Sequence, residues 1–224
     1  IGIGHIRSGS SVETTTVNAE PLVVGYKQGA LALAYDGSLV NYSELREKME
    51  DNGVIFQSSI DTEVIANLIA RYHREDIEQA IIKAVKDIKG SYALVTMTND
   101  RLIGVRDPYG LKPLCIGKIG KDYILSSETC ALDTIGAEFV RDVEPGEMVV
   151  IIDGDIKSVK TKEAKDKNIC IFEIIYLARP DSKLDGKSIY LLRREAGRNL
   201  AKECPAEGDI VISAPDSGTV AAIG

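Results

Sequence analysis

Cysteine is scarce in this chain, and its four positions, 115, 130, 170 and 204, are far apart, with no Cys-x-x-Cys pair and no histidine cluster nearby. Such spacing signals neither a zinc site nor a disulfide framework, so the thiols are expected to be free and buried. Long apolar runs are missing as well. No stretch approaches the ~20 residues that a membrane-spanning helix needs, and no charged segment leads into an apolar core at Ile1-Gly2-Ile3-Gly4, so cytoplasm is the expected setting. Positive charge is not in excess: 27 Lys and Arg stand against 34 Asp and Glu, a net charge of -7. That balance argues against a nucleic-acid partner, which draws on clustered cations, and any phosphate site must be local. Internal repeats and low-complexity tracts are absent. So is an initiating Met, and the first residues already read as a strand in mid-course, so the chain reads as a fragment.

What is present suits one large or two modest cores: 224 residues, 44% hydrophobic and 27% charged. Residues 1–7 read as a strand ending in Arg7, whose guanidinium fork suits a carboxylate but serves equally in a surface ion pair. Strands are expected at 22–24 and 31–35, with Asp36-Gly37 as the turn that follows. Asn41 is placed to cap a helix at 42–52, with Glu44 completing a capping box and Gly53 as the stop. A strand at 54–57 comes next. Asp61 opens a second helix with Val64, Ile65, Leu68, Ile69 and Tyr72 on one stripe, and its type alone suits an N-cap. A third helix, 76–89, turns Ile77, Ile81, Ala84, Val85 and Ile88 inward and stops at Gly90.

From Ser91 the period becomes that of strands, at 92–98, 102–105, 114–117, 123–126, 148–152 and 156–159. Helices followed by hairpin-linked strands fit an α+β sandwich. The stretch 170–182 is an apolar run ending in Ala178-Arg179-Pro180-Asp181-Ser182. It reads as a packed join, since flexible linkers are rich in Gly and Ser, and Pro180 favours an extended residue before it. Beyond it, a helix at 186–203 is expected to bury Ile189, Leu192, Ala196 and Leu200, and a buried strand at 209–214 leads through Pro215-Asp216-Ser217-Gly218 into another helix. A small-residue loop there offers N–H groups to an anion, or is a plain turn.

Nine stretches occur together in one order: Gly4-His5-Ile6-Arg7, Asn18-Ala19-Glu20-Pro21, Asp36-Gly37-Ser38-Leu39-Val40-Asn41, Asp61-Thr62-Glu63-Val64, Arg106-Asp-Pro-Tyr-Gly-Leu-Lys-Pro-Leu114, Ser126-Ser-Glu-Thr-Cys-Ala-Leu-Asp133, Arg141-Asp-Val-Glu-Pro-Gly-Glu147, the join from Cys170 to Ser182, and Pro215-Asp216-Ser217-Gly218. In them the chain resembles glutamine phosphoribosylpyrophosphate amidotransferase over essentially its whole length. The first four recur more loosely in other N-terminal-nucleophile amidotransferases, and the later ones with the join single out the purine enzyme. The resemblance implies a four-layer α+β sandwich of the class II glutamine amidotransferase type over 1–168, then the start of an α/β type I phosphoribosyltransferase domain over 169–224. It implies hydrolysis of glutamine by an N-terminal cysteine and transfer of ammonia to phosphoribosylpyrophosphate, giving phosphoribosylamine. Arg7 then matches the clamp on the glutamine carboxylate, Asp61 the acceptor of its amino group, Asp36 and Gly37 the oxyanion positions, and Asp216, Ser217 and Gly218 the pyrophosphate loop. Mg2+ and homo-oligomer assembly are expected of the complete enzyme, with no nucleic-acid or membrane partner. Some members carry an iron-sulfur cluster, for which Cys170 is a candidate ligand; four thiolates are needed, and none is expected in this chain.

Departures from the pattern matter as much. The nucleophile segment is expected to be missing from this chain, and the isolated chain to be inactive. Asp36 stands for the family's Asn, Ser8 for its Tyr and Glu20 for its Gln. Loss of one oxyanion donor removes about 2.7–4 kcal/mol of transition-state stabilisation, and an ionised carboxylate has no proton to donate. An impaired glutaminase half is therefore expected, with free ammonia the better nitrogen source. The alternative is a non-catalytic relative that binds glutamine or serves as a scaffold.

Overall fold

The computed structural model of the chain describes residues 1–6 and 15–224. In chain order the elements are β1 (Leu22–Tyr26), β2 (Gly29–Leu39), α1 (Tyr42–Glu50), α2 (Asp61–Tyr72), α3 (Ile77–Asp87), β3 (Gly90–Met97), β4 (Arg101–Arg106), β5 (Cys115–Ile119), β6 (Asp122–Ser126), α4 (Thr129–Thr134), β7 (Glu138–Asp142), β8 (Glu147–Ile152), β9 (Asp155–Lys160), β10 (Lys183–Leu184), β11 (Lys187–Ser188), α5 (Ile189–Glu203) and α6 (Thr219–Ile223). Contacts divide them into two compact units, 1–112 with 143–168, and 113–142 with 169–224. No helix among the described residues is long and apolar enough to cross a membrane.

The first unit is built on a six-stranded antiparallel sheet in the order β1-β2-β3-β4-β8-β9. Helices α1 to α3 share a hydrophobic core with it: Val64, Ile65 and Ile69 of α2 and Ile81 and Val85 of α3 join Leu33, Leu94, Ile103 and Val150 of the sheet. The expected stripes of both helices are buried, apart from the partly buried Tyr72. Burying each such side chain stabilises by about 1.5–3 kcal/mol. Asp36 and Gly37, expected as a turn, instead continue β2, where Gly37 pairs with Tyr92 of β3. A Cβ at Gly37 would lie 2.1 Å from the Ser91 carbonyl oxygen, so glycine is needed for the close approach of the two strands.

Two further expectations are corrected in this unit. Asn41 does not cap α1 with its side chain. It bridges to the turn after α3, donating from Nδ2 to the Asp87 carbonyl at 2.9 Å and accepting from Lys89 N–H at 2.9 Å. Residues 54–57 form no strand. Side chains take the place of a ladder there: the Glu63 carboxylate accepts from Gln57 and Ser58 N–H, and Arg46 donates to the Ser58 carbonyl at 2.8 Å while stacking on Phe56.

The second unit holds a three-stranded sheet, β6-β5-β7, with α4 packed on it through Leu132 against Gly117, and a small core of Cys115, Leu132 and Ala137. Its join is not a buried run. Residues 173–177 form a π-helical turn, and Ile171, Phe172, Tyr176 and Leu177 are exposed. Nor is there a strand at 209–214: Ile210, Val211 and Ile212 are 78–87% exposed, because a strand needs a paired neighbour and none of the described strands runs beside them. On α5 the inward stripe is Ile189, Arg193 and Gly197, with Ala196 and Leu200 outside. The reason is polar: Arg193 donates to the Ile174 carbonyl at 2.6 Å and the Ala178 carbonyl at 2.7 Å, acceptors that the π turn and the residue after it leave open. No cysteine is in a disulfide, but only Cys115 and Cys130 are buried; Cys170 is half-buried and Cys204 exposed.

Candidate functional site

In the first unit, strand β2 and the head of α2 bring three of the expected residues together. Asp61 begins α2, and its Oδ2 accepts from Leu39 N–H at 2.8 Å and, more weakly, from the Tyr35 hydroxyl at 3.5 Å. Leu39 lies two residues beyond Gly37 on the same strand. Tyr35 is buried, and its hydroxyl also reaches the Ser91 carbonyl at 3.4 Å. Burial first, then the charges of Asp61 and Asp36, push its ionisation far above the ordinary tyrosine range, so it stays a donor. Asp61 Oδ1 has no hydrogen-bond partner among the described residues, and the side chain is partly exposed. A carboxylate fixed through one oxygen and open at the other is suited to receive a ligand cation.

Asp36 is half-exposed and faces the Lys112 ammonium at 3.3 Å. Lys112 is delivered by a loop with little freedom. Asp107, fully buried, accepts from the N–H groups of Tyr109 at 2.9 Å, Leu111 at 3.2 Å and Lys112 at 3.1 Å. Arg106, also buried, donates to the carbonyls of Lys112, Val143 and Gly110 at 2.8, 2.8 and 2.9 Å. The stretch 106–114 is therefore a rigid arm holding a cation beside Asp36.

Glu20 is buried against the same two elements. Its Oε1 accepts from the Thr62 hydroxyl, its Oε2 accepts from Tyr35 N–H at 3.3 Å, and His5 Nε2 lies 3.3 Å from Oε2. Arg7 and Ser8 lie outside the described residues. Asp216, Ser217 and Gly218 belong to the other unit. They form a turn ahead of the five-residue α6, with Gly218 N–H bonded to the Ala214 carbonyl at 3.0 Å and Thr219 N–H to the Asp216 carbonyl at 3.2 Å. Asp216 is exposed there.

Sequence reasoning missed Tyr35, Thr62, His5 and Lys112. Tyr35 and Thr62 each adjoin a residue that was singled out, and the alternation of β2 points Tyr35 and Gly37 to one face; Lys112 carried no such signal. No group of three His, Cys, Asp or Glu that could hold an ion occurs among the described residues, and Cys170 is a free thiol.

Comparison with known proteins gives the family. Residues 8–134 match the family model described as a glutamine amidotransferase domain. The chain is 46% identical over 224 residues to an amidophosphoribosyltransferase of Archaeoglobus fulgidus, covering 99% of this chain and 49% of that protein. It is 42% identical over 223 residues to the Bacillus subtilis amidophosphoribosyltransferase, covering 99% and 47%. The solved B. subtilis glutamine phosphoribosylpyrophosphate amidotransferase, complexed with ADP and GMP, superposes with a TM-score of 0.93 at 42% identity, over 98% of this chain and 48% of that one. A second structure, described as the allosteric regulatory enzyme of purine biosynthesis, also gives 0.93 at 42% identity, over 98% and 47%. The chain thus spans about half the length of the relatives it matches. It belongs to the glutamine amidotransferase family, and the α+β sandwich of the class II, N-terminal-nucleophile type expected from the sequence is its fold.

Proposed function

We propose that this glutamine amidotransferase chain is the glutamine-binding portion of an amidophosphoribosyltransferase, over 1–168, continued over 169–224 by the start of its phosphoribosyltransferase domain. The observation that carries the reading is Asp61: its carboxylate is fixed by Leu39 N–H at 2.8 Å, two residues from Gly37, with Oδ1 left for a ligand. Asp61 receives the ammonium of glutamine and Arg7 its carboxylate, so the two charged ends are held and the amide is set over β2 at Asp36 and Gly37. Asp216, Ser217 and Gly218 contact the pyrophosphate of phosphoribosylpyrophosphate, and Mg2+ arrives with that substrate. The whole protein acts as a homo-oligomer in the cytoplasm, forming phosphoribosylamine for purine biosynthesis.

The N-terminal-nucleophile reaction that the resemblance implies attacks the amide with a cysteine thiol, and the first cysteine of this sequence is Cys115. The 224 residues alone therefore bind glutamine without hydrolysing it. In the whole protein the glutaminase reaction is slow, because Asp36 offers a carboxylate where the developing oxyanion needs a donor, and the Lys112 ammonium offsets only part of that charge.

Isothermal titration with L-glutamine tests the reading. The 224-residue chain should bind, and Asp61→Asn should weaken binding by about tenfold or more, as for loss of a charge-assisted hydrogen bond. Equal affinity for the two proteins, or ammonia released from glutamine by the purified chain, would sink it.

A further inference from the structure

We propose that Glu20 is a positioning residue of this glutamine site, one side chain that locks strand β2, the first turn of helix α2 and the 1–6 segment into the arrangement that glutamine requires. The inference rests on the glutamine reading of Asp61.

The register of the sheet explains why a side chain is needed at this point. β1 pairs with β2 in an antiparallel ladder that ends at Leu22 opposite Leu33. Carried two residues further, that register sets Glu20 opposite Tyr35, but no strand backbone continues there to accept the Tyr35 N–H. The Glu20 carboxylate accepts it instead, at 3.3 Å, in a place where the Glu20 side chain is wholly buried. An unpaired buried N–H is destabilising, so this position demands an acceptor.

A carboxylate has a second oxygen, and here it reaches another element. Oε1 accepts from the hydroxyl of Thr62, the residue after Asp61, while Oε2 also faces His5 Nε2 at 3.3 Å. Each link thus falls beside a residue of the proposed site: Tyr35 precedes Asp36, Thr62 follows Asp61, and His5 stands two residues before Arg7. Asp61 has its own bond to β2 through Leu39 N–H on Oδ2, and the ligand ammonium takes Oδ1 of the same carboxylate. Glu20 supplies a connection between α2 and β2 that the ligand does not touch. It holds the head of the helix in place whether or not Asp61 carries a ligand.

A glutamine at this position would preserve the links to Tyr35 and Thr62. A glutamine carbonyl accepts from Tyr35 N–H, and its amide donates to the Thr62 hydroxyl, which serves as donor or acceptor. The charge facing His5 is lost. Alanine keeps none of the three links.

Affinity for L-glutamine, measured by titration calorimetry on the 224-residue chain well below each variant's unfolding temperature, provides the test. Glu20→Ala should weaken binding about tenfold or more, Thr62→Val about fivefold, and Glu20→Gln should stay within about threefold of the parent. Thr62→Val decides the matter if Glu20→Ala does not fold. Glutamine binding within twofold of the parent by Glu20→Ala and Thr62→Val, in a chain where Asp61→Asn has lost it, overturns the positioning role and leaves the glutamine site standing. Glu20→Gln as weak as Glu20→Ala overturns it too, since charge and not hydrogen bonding would then be responsible. A parent chain that does not bind glutamine removes the glutamine reading and this inference with it.

Discussion

Asp61 heads a twelve-residue helix, with its carboxylate bonded to a strand N–H and a buried tyrosine, and the next residue, Thr62, bonded to the buried carboxylate of Glu20. Asp216 stands exposed in a turn ahead of a five-residue helix, its carboxylate without a hydrogen-bond partner among the described residues. The sequence motifs around the two are equally plain. What separates them is the packing behind each. The unit around Asp61 has a six-stranded sheet covered by three helices, so its polar groups are held by interior contacts on several sides. The region around Asp216 has isoleucines and a valine in solvent just upstream, and its turn is held by local backbone bonds, a Ser213–Thr219 hydroxyl contact at 3.2 Å and the burial of Val220 just after it. A motif names the chemistry, whereas neighbouring packed elements set the geometry and the stiffness.

That contrast is open to attack at three points. Arg106→Ala strikes the rigid arm of the first unit, leaving the carbonyls of Gly110, Lys112 and Val143 without their donor, and should lower stability by about 3–5 kcal/mol in urea unfolding. A loss below about 1 kcal/mol would show that the arm is not held as its hydrogen bonds indicate. Asp36→Asn in a full-length parent restores a donor in this well-ordered surround, and glutamine-dependent turnover should rise by about 10²-fold, with ammonia-dependent turnover unchanged. No rise would mean that the Lys112 ammonium already does the donor's work. Ile212→Ala in the looser region should change stability by no more than about 0.5 kcal/mol, although a fully buried isoleucine typically loses 2–5 on the same substitution. A loss of that larger size would place Ile212 in a packed core and erase the difference between the two regions.

Much was legible before any coordinates. The stripes Val64, Ile65, Leu68, Ile69 and Ile77, Ile81, Ala84, Val85 are periodic at helical spacing, and they are the residues buried under α2 and α3. Most strands of the main sheet follow from alternation, and the ordered motifs give the family. The errors have a common origin. Asn41 looked like a cap because Asn next to a helix usually is one, yet its partners are 46 and 48 residues away. Asp36-Gly37 looked like a turn because the pair is a local turn former, yet β3 pairs with it and keeps it extended. Residues 209–214 looked buried because they are apolar, but apolar character does not supply a neighbouring strand.

Residue type and local spacing, which are complete in the sequence, determined the helices, the strand-rich character and the family to which the chain belongs. Tertiary structure alone decided which polar groups meet: Glu20 with Thr62, 42 residues apart, Leu39 with Asp61, and Lys112 with Asp36. Such pairings depend on which N–H groups a ladder leaves unpaired where it ends and on which elements the core brings alongside. Periodicity along the chain carries no record of either.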